Sequence, residues 1–240
     1  MVLSFEVLLV IGVTGFYLFD SAMLIYTNEL IFIETNGRWI FSSPEKNLQI
    51  LKKFLYLPNP LRPDKHIFLL HWTSSEISNY ESNNVELRKL FLAINPLRYM
   101  TLFLYILFFL GLPLVAFTLG SGLVLLLLIE AIYLTILLML IHVYLLKDML
   151  GLSGNAVAKL SFDSLMCAPF ALNILRKITL QNSLGDPVEF ASKAFDKTTF
   201  DNLIETICLQ VDQRLLFTDE ESALYKDLKK YRDRITSITL

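Results

Sequence analysis

YMTLFLYILFFLGLPLVAFTLGSGLVLLLLIEAIYLTILLMLIHVYLL, residues 99–146, decides how the rest of this chain is read. The run holds no Lys or Arg and one acid, Glu130. A hydrocarbon layer about 30 Å thick is crossed by about 20 residues of helix rising 1.5 Å each. The stretch is twice that long and contains one turn signal, Gly120-Ser121-Gly122. Leu97–Leu119 and Leu123–Leu146 therefore read as a transmembrane helical hairpin.

Working outward, the cations set the topology. All 21 Lys and Arg residues of this 240-residue chain fall between Arg38 and Arg98 or between Lys147 and Arg234. Basic residues near spans mark the cytoplasmic side, so both blocks are expected there, with the hairpin turn outside. The chain must then cross once before Arg38, and Val2 to Phe19, or a window shifted to Val7–Tyr26, supplies the crossing. That run lacks the basic leader and small-residue cleavage site of a signal peptide. The expected location is a bacterial inner membrane or its equivalent, with the N-terminus outside and the C-terminus cytoplasmic.

The remaining blocks follow from local pattern. Leu30–Thr35 and Arg38–Ser42 flank Asn36-Gly37, a pair suited to a tight type I′ turn, so a β-hairpin is expected. Ser43-Pro44-Glu45 reads as the start of a short helix to Lys53, with further strands at Phe54–Leu57 and His66–Trp72. Thr73–Asn84 is a polar linker. Val85–Ile94 is amphipathic and is expected to form an interfacial elbow before Asn95-Pro96 opens the next span. After Lys147 helices are expected throughout, with a break at Pro169 and caps at Ser153, Asp186, Thr199 and Thr218.

The sequence thus predicts an α-helical integral membrane protein with three transmembrane helices, the last two a hairpin. A small β-rich cytoplasmic insert and a helical cytoplasmic C-terminal domain complete it. The blocks are span one at 1–26, the β-rich module at 27–72, and the linker with its interfacial helix at 73–96. The hairpin at 97–147 and the helical domain at 148–240 follow. The β-rich module is small enough that it needs another surface to lean on.

Glu130 is the sharpest functional candidate, because an ionisable group within a span marks a pathway or a partner. It lies about 12 Å in from Gly122, level with Gly111–Pro113 and with Gly12–Gly15. Pro113 cannot donate to the carbonyl of Phe109. Glu130 is therefore expected to act as a polar pin to that carbonyl or to Thr14, with Gly12 and Gly15 admitting a close neighbour. His142 is expected at the inner headgroups.

Asp163, Asn173, Arg176 and Lys177, around the Pro169 break, are candidates for an interface or docking groove. The alternative reading of that segment is the core of the tail. Residues 181–223 carry nine acids against three bases, and residues 224–240 five bases against two acids. The last helix is therefore expected to fold back on the acidic one, or else to meet anionic lipid. Cys167 and Cys208 are expected as free thiols, since a reducing compartment disfavours a disulfide. His66 and His71 have opposite parity on one strand and no companions at ligand spacing, so no metal site is expected. No Walker loop, dinucleotide fingerprint, HExxH or nucleophile elbow occurs, and no cofactor or nucleic-acid partner is expected.

The function expected first is a non-enzymatic inner-membrane anchor or accessory subunit whose cytoplasmic modules hold or regulate a partner protein, with membrane lipids and that partner or further copies of itself as its contacts. A subunit of an oligomeric channel or transporter using Glu130 is the alternative. A lipid enzyme using Asp20, His142 and Asp163 near the inner interface is the second alternative.

Overall fold

Helix α1 (Phe5–Ser21) opens the computed structural model, which describes the chain apart from residues 1–4, 36–37, 44–46, 52, 73–83, 120–121, 183–184 and 240. The structure is mostly helical with a small sheet region, and it divides into two compact units. One gathers Met1–Met23, Leu57–His66 and Asn84–Asn182; the other gathers Leu24–Tyr56, Ile67–Asn83 and Ser183–Leu240. The blocks read from the sequence are consecutive, whereas the observed units interleave.

In the first unit α2 (Asn84–Ile106) runs unbroken through Asn95-Pro96, so the expected elbow is absent. Buried Leu90, Ala93, Ile94 and Leu97 lie on both sides of the proline, and that packing carries the helix across the one lost hydrogen bond. Beyond Ile106 the helix widens into a π-helical turn (Leu107–Gly111), a short α segment (Leu112–Leu114) and a second π turn (Val115–Leu119). The backbone N–H of Leu112 reaches Leu107 O, so the register changes just ahead of Pro113. Helix α3 (Gly122–Leu145) follows. The Gly120-Ser121 part of the expected bend lies outside the described residues. Arg88–Thr118 and Gly122–Leu145, 31 and 24 residues, are long and apolar enough to cross a membrane. Helix α1, with 17 residues, is shorter.

Helix α3 packs on α2 and buries one face, with Ile132, Ile136, Met139 and Val143 spaced i, i+4, i+7, i+11. The close approach involves Gly111, where an added Cβ would lie 3.2 Å from Leu128 Cδ1. At Gly12 and Gly15 an added Cβ would meet nothing within 4 Å, which corrects the expected close neighbour there. Helix α4 (Gly154–Met166) begins at Ser153, whose Oγ accepts from Ala156 N at 3.2 Å. Pro169 sits in a 3₁₀ turn (Ala168–Asn173) leading into α5 (Ile174–Gln181).

The second unit holds two three-stranded sheets. Strands β2 (Glu29–Thr35), β3 (Arg38–Ser42) and β6 (Ile67–His71) are ordered β3-β2-β6, all antiparallel. The Thr35↔Arg38 register closes the hairpin over a two-residue loop, as expected, although Asn36-Gly37 lies outside the described residues. Strands β1 (Met23–Ile25), β4 (Leu48–Ile50) and β5 (Lys53–Tyr56) form the other sheet, ordered β1-β5-β4. Where a helix is expected up to Lys53, β4 forms instead, pairing Leu48↔Leu55 and Ile50↔Lys53. Cross-strand pairing overrides the helical propensity of a short segment, and Leu51 takes the left-handed φ of 59° that the tight turn needs.

Helices α6 (Pro187–Ala194), α7 (Lys197–Leu216) and α8 (Ala223–Thr239) complete this unit. They give the sheet the second surface its small core requires. Phe32, paired across strands with Phe41 and Phe68, stacks on Phe195 at 5.3 Å and meets Phe190 edge-on at 5.8 Å. Two helix starts differ from expectation. Asp196, not Thr199, caps α7, accepting from both the amide and the hydroxyl of Thr199, and these bonds hold its carboxyl below the usual range. At α8 Ser222 accepts from Tyr225 N, while Thr218 bonds back to Arg214 O. The basic last helix does fold onto α7, and Arg232 grips Asp212 with a two-pronged bond.

Tyr231 on α8 stacks on Trp72 at 5.9 Å and donates to Asp186 Oδ2 at 3.4 Å. Burial, helped by the Asp186 carboxylate, pushes its phenol far above the ordinary value. The folded state therefore favours the neutral phenol. Its contribution is complete below the unfolded value of about 10 and is lost as pH rises beyond it. Tyr231→Phe is expected to flatten the alkaline loss of stability between about pH 9 and 11. Denaturant midpoints across that range check it; a slope equal to wild type would contradict it.

Candidate functional site

Glu130 does not pin three helices. Its side chain is exposed and makes no hydrogen bond or ion pair with any described residue. The Thr14 hydroxyl bonds Val10 O of its own helix at 2.8 Å. At 100° per residue Glu130 lies about 150° from the centre of the Ile132–Val143 stripe. It shares its outward face with exposed Leu126, Leu127, Leu134 and Leu137. Pro113 is accommodated by the π register, without Glu130. His142 Nε2 lies 3.0 Å from Ala93 O, so this ring ties α3 to α2.

Asn173 and Arg176 form the centre of a buried network, which corrects their reading as a docking surface. Arg176 is 3% exposed. One Nη2 donates to both Asn59 O and Arg62 O at 2.9 Å, and Nη1 donates to Asn173 Oδ1 at 3.2 Å. The guanidinium fork thus clamps the proline-rich loop 57–66. The Asn173 amide uses both ends. Its Oδ1 also accepts from Ser21 Oγ at 3.1 Å, and its Nδ2 donates to Asp20 Oδ2 at 3.0 Å and Tyr17 O at 3.5 Å. Tyr17 OH adds a bond to Pro60 O at 2.8 Å. The network joins the end of α1, loop 57–66 and the start of α5.

A cleft of about 500 Å³ opens beside this network, lined by Asp20, Lys159, Asp163, Lys177 and Gln181, with Leu160 and Leu180. Lys177 Nζ pairs with Asp20 Oδ1 at 2.8 Å and lies 5.1 Å from the Phe170 ring. Lys159 and Asp163 make no ion pair or side-chain hydrogen bond with a described residue. The structure thus brings Asp20 and Asp163 of the enzyme alternative to one cleft, but His142 is not among its lining residues. Lys159 is not among the residues that sequence pattern singles out. Its spacing does mark it: Lys159, Phe162, Asp163 and Met166 share one face of α4, and Phe162 and Met166 are 64% and 69% exposed.

No family model, curated protein or solved structure matches this chain. Function is therefore read from its residues. Among the described residues no group of three or more His, Cys, Asp or Glu is placed to hold a metal ion. His66 is buried against the Phe91 ring, while His71 is exposed. Cys167 and Cys208 are free thiols whose pKa values burial raises.

Proposed function

We propose that this chain is a non-enzymatic membrane anchor or accessory subunit that joins another transmembrane segment through the Glu130 face of α3. In this reading α1, α2 with its π-helical continuation, and α3 are three spans in a bacterial inner membrane or its equivalent. The N-terminus lies outside, and the β-rich and helical parts lie in the cytoplasm. The lengths of α2 and α3 and the confinement of cations to two blocks support it. The observation that carries it is Glu130, exposed in the middle of an otherwise apolar face. A charged side chain at mid-bilayer costs roughly 2.5–3.5 kcal/mol on insertion scales. A hydrogen-bonding group on a neighbouring helix offsets that cost, and no described residue of this chain provides one.

Purified in mild detergent, the wild-type protein is expected to run as an assembly larger than its 27.6 kDa chain. Glu130→Leu is expected to reduce it to the monomer, while Glu130→Gln keeps the hydrogen bond and the assembly. Scattering-calibrated size exclusion checks this, and a wild type recovered as a stable monomer would overturn it. The same exposure also suits a residue facing the lumen of an oligomeric channel or transporter. There Glu130→Gln would preserve assembly but abolish ion flux in proteoliposomes.

A further inference from the structure

We propose that the cleft between α1, α4 and α5 binds a zwitterionic phosphate-and-amine headgroup, of the kind phosphatidylethanolamine carries. The charge arithmetic of the cleft points to it. Four ionic side chains line it, two of each sign, and Asp20 and Lys177 satisfy one another at 2.8 Å. That leaves Lys159 and Asp163, one cation and one anion a single helical turn apart, with no ionic partner among the described residues. A ligand complementary to this pair carries both signs within a few ångströms. Phosphate on Lys159 and a primary ammonium on Asp163 meet that description, and charge-assisted bonds to each are the strong kind. A purely anionic headgroup would face Asp163, and a quaternary ammonium could not donate a hydrogen bond to it.

Size and surroundings agree. About 500 Å³ lies within the roughly 300–1,000 Å³ of small-molecule sites. Phe162 and Met166, exposed on the same face as the charged pair, offer the apolar rim that acyl chains require. The lipid source rests on the membrane reading given above, whereas the phosphate-and-amine chemistry does not.

Native mass spectrometry of the detergent-solubilised full chain tests the proposal. The protein is offered equal amounts of phosphatidylethanolamine, phosphatidylcholine and phosphatidylglycerol. Wild type is expected to retain the ethanolamine lipid preferentially. Lys159→Gln and Asp163→Asn, both at exposed or half-buried positions, are each expected to weaken that retention about tenfold. Asp163→Lys is expected to turn the preference toward phosphatidylglycerol. Soluble phosphoethanolamine separates the sources: displacement of the lipid shows that the headgroup alone is read, and lipid-only retention makes the bilayer the source. Equal retention of all three lipids, or retention unchanged in all three variants, would overturn the proposal. Glu130→Leu serves as the independent arm. A wild type that assembles but shows no lipid preference sinks this site alone, and Glu130→Leu that still assembles with the preference kept sinks only the Glu130 reading.

Discussion

Trp72→Ala is expected to destabilise the β-rich and C-terminal unit by about 3–5 kcal/mol, the range for removing a large buried aromatic side chain. Trp72 is 1% exposed and joins three elements of that unit. Its indole N–H donates to Gln210 Oε1 at 2.9 Å, and Gln210 Nε2 in turn reaches Ser43 Oγ at 3.3 Å. Its ring stacks on Tyr231 and receives the Arg214 guanidinium at 5.1 Å. Arg214 also holds Asn28 Oδ1 at 3.3 Å, and burial lowers its pKa. Alanine removes the packing and leaves the buried Gln210 acceptor without its donor, a cost of about 1–3 kcal/mol within that total. Trp72→Phe keeps the stack and loses the bond, so its cost is expected to fall between wild type and alanine. Hydrogen exchange reads the effect by segment: β2, β6, α7 and α8 should lose protection. Unchanged protection there would show that Trp72 is not the tie described.

Arg176→Met is expected to cost about 3–5 kcal/mol in the other unit and to release loop 57–66. Three acceptors, Asn59 O, Arg62 O and Asn173 Oδ1, lose their charged donor together and keep only Arg62 N, Lys65 N and Ser21 Oγ. Each hydrogen bond from a charged donor contributes about 1.5–3 kcal/mol, less where the loop can turn to water. Arg176→Lys is expected to rescue only part of this, because an ammonium cannot span two loop carbonyls and an amide as the planar fork does. Limited proteolysis within Leu57–His66 is the readout. Resistance equal to wild type in Arg176→Met would contradict the clamp.

Parts of this architecture are legible in the chain and parts are not, for identifiable reasons. The hairpin around residues 36–37 follows from turn chemistry acting over a few residues, and the Thr35↔Arg38 register bears it out. The caps at Ser153 and Asp186 are local in the same way. At α7 a carboxylate three residues upstream of Thr199 takes the cap, because it accepts from amide and hydroxyl at once. The expected Glu130 pin fails on azimuth. Counting residues gives depth along α3, but a helix apolar all round shows no buried face, and the stripe through Ile132 and Ile136 emerges only from packing. The Asp20–Asn173–Arg176 network joins residues some 150 positions apart, which no local pattern encodes. The expected helix before Lys53 yields to β4 for a similar reason: its partner strand, not its own propensity, decides.

Site-specific photo-crosslinking in native membranes tests the central claim most directly. The probe belongs at Leu134, one turn from Glu130 on the same outward face and 57% exposed. The expected result is a discrete adduct with a second polypeptide, another copy or a partner, present in wild type and Glu130→Gln and absent in Glu130→Leu. Adducts to lipid alone, or a polypeptide adduct indifferent to Glu130→Leu, would contradict the account.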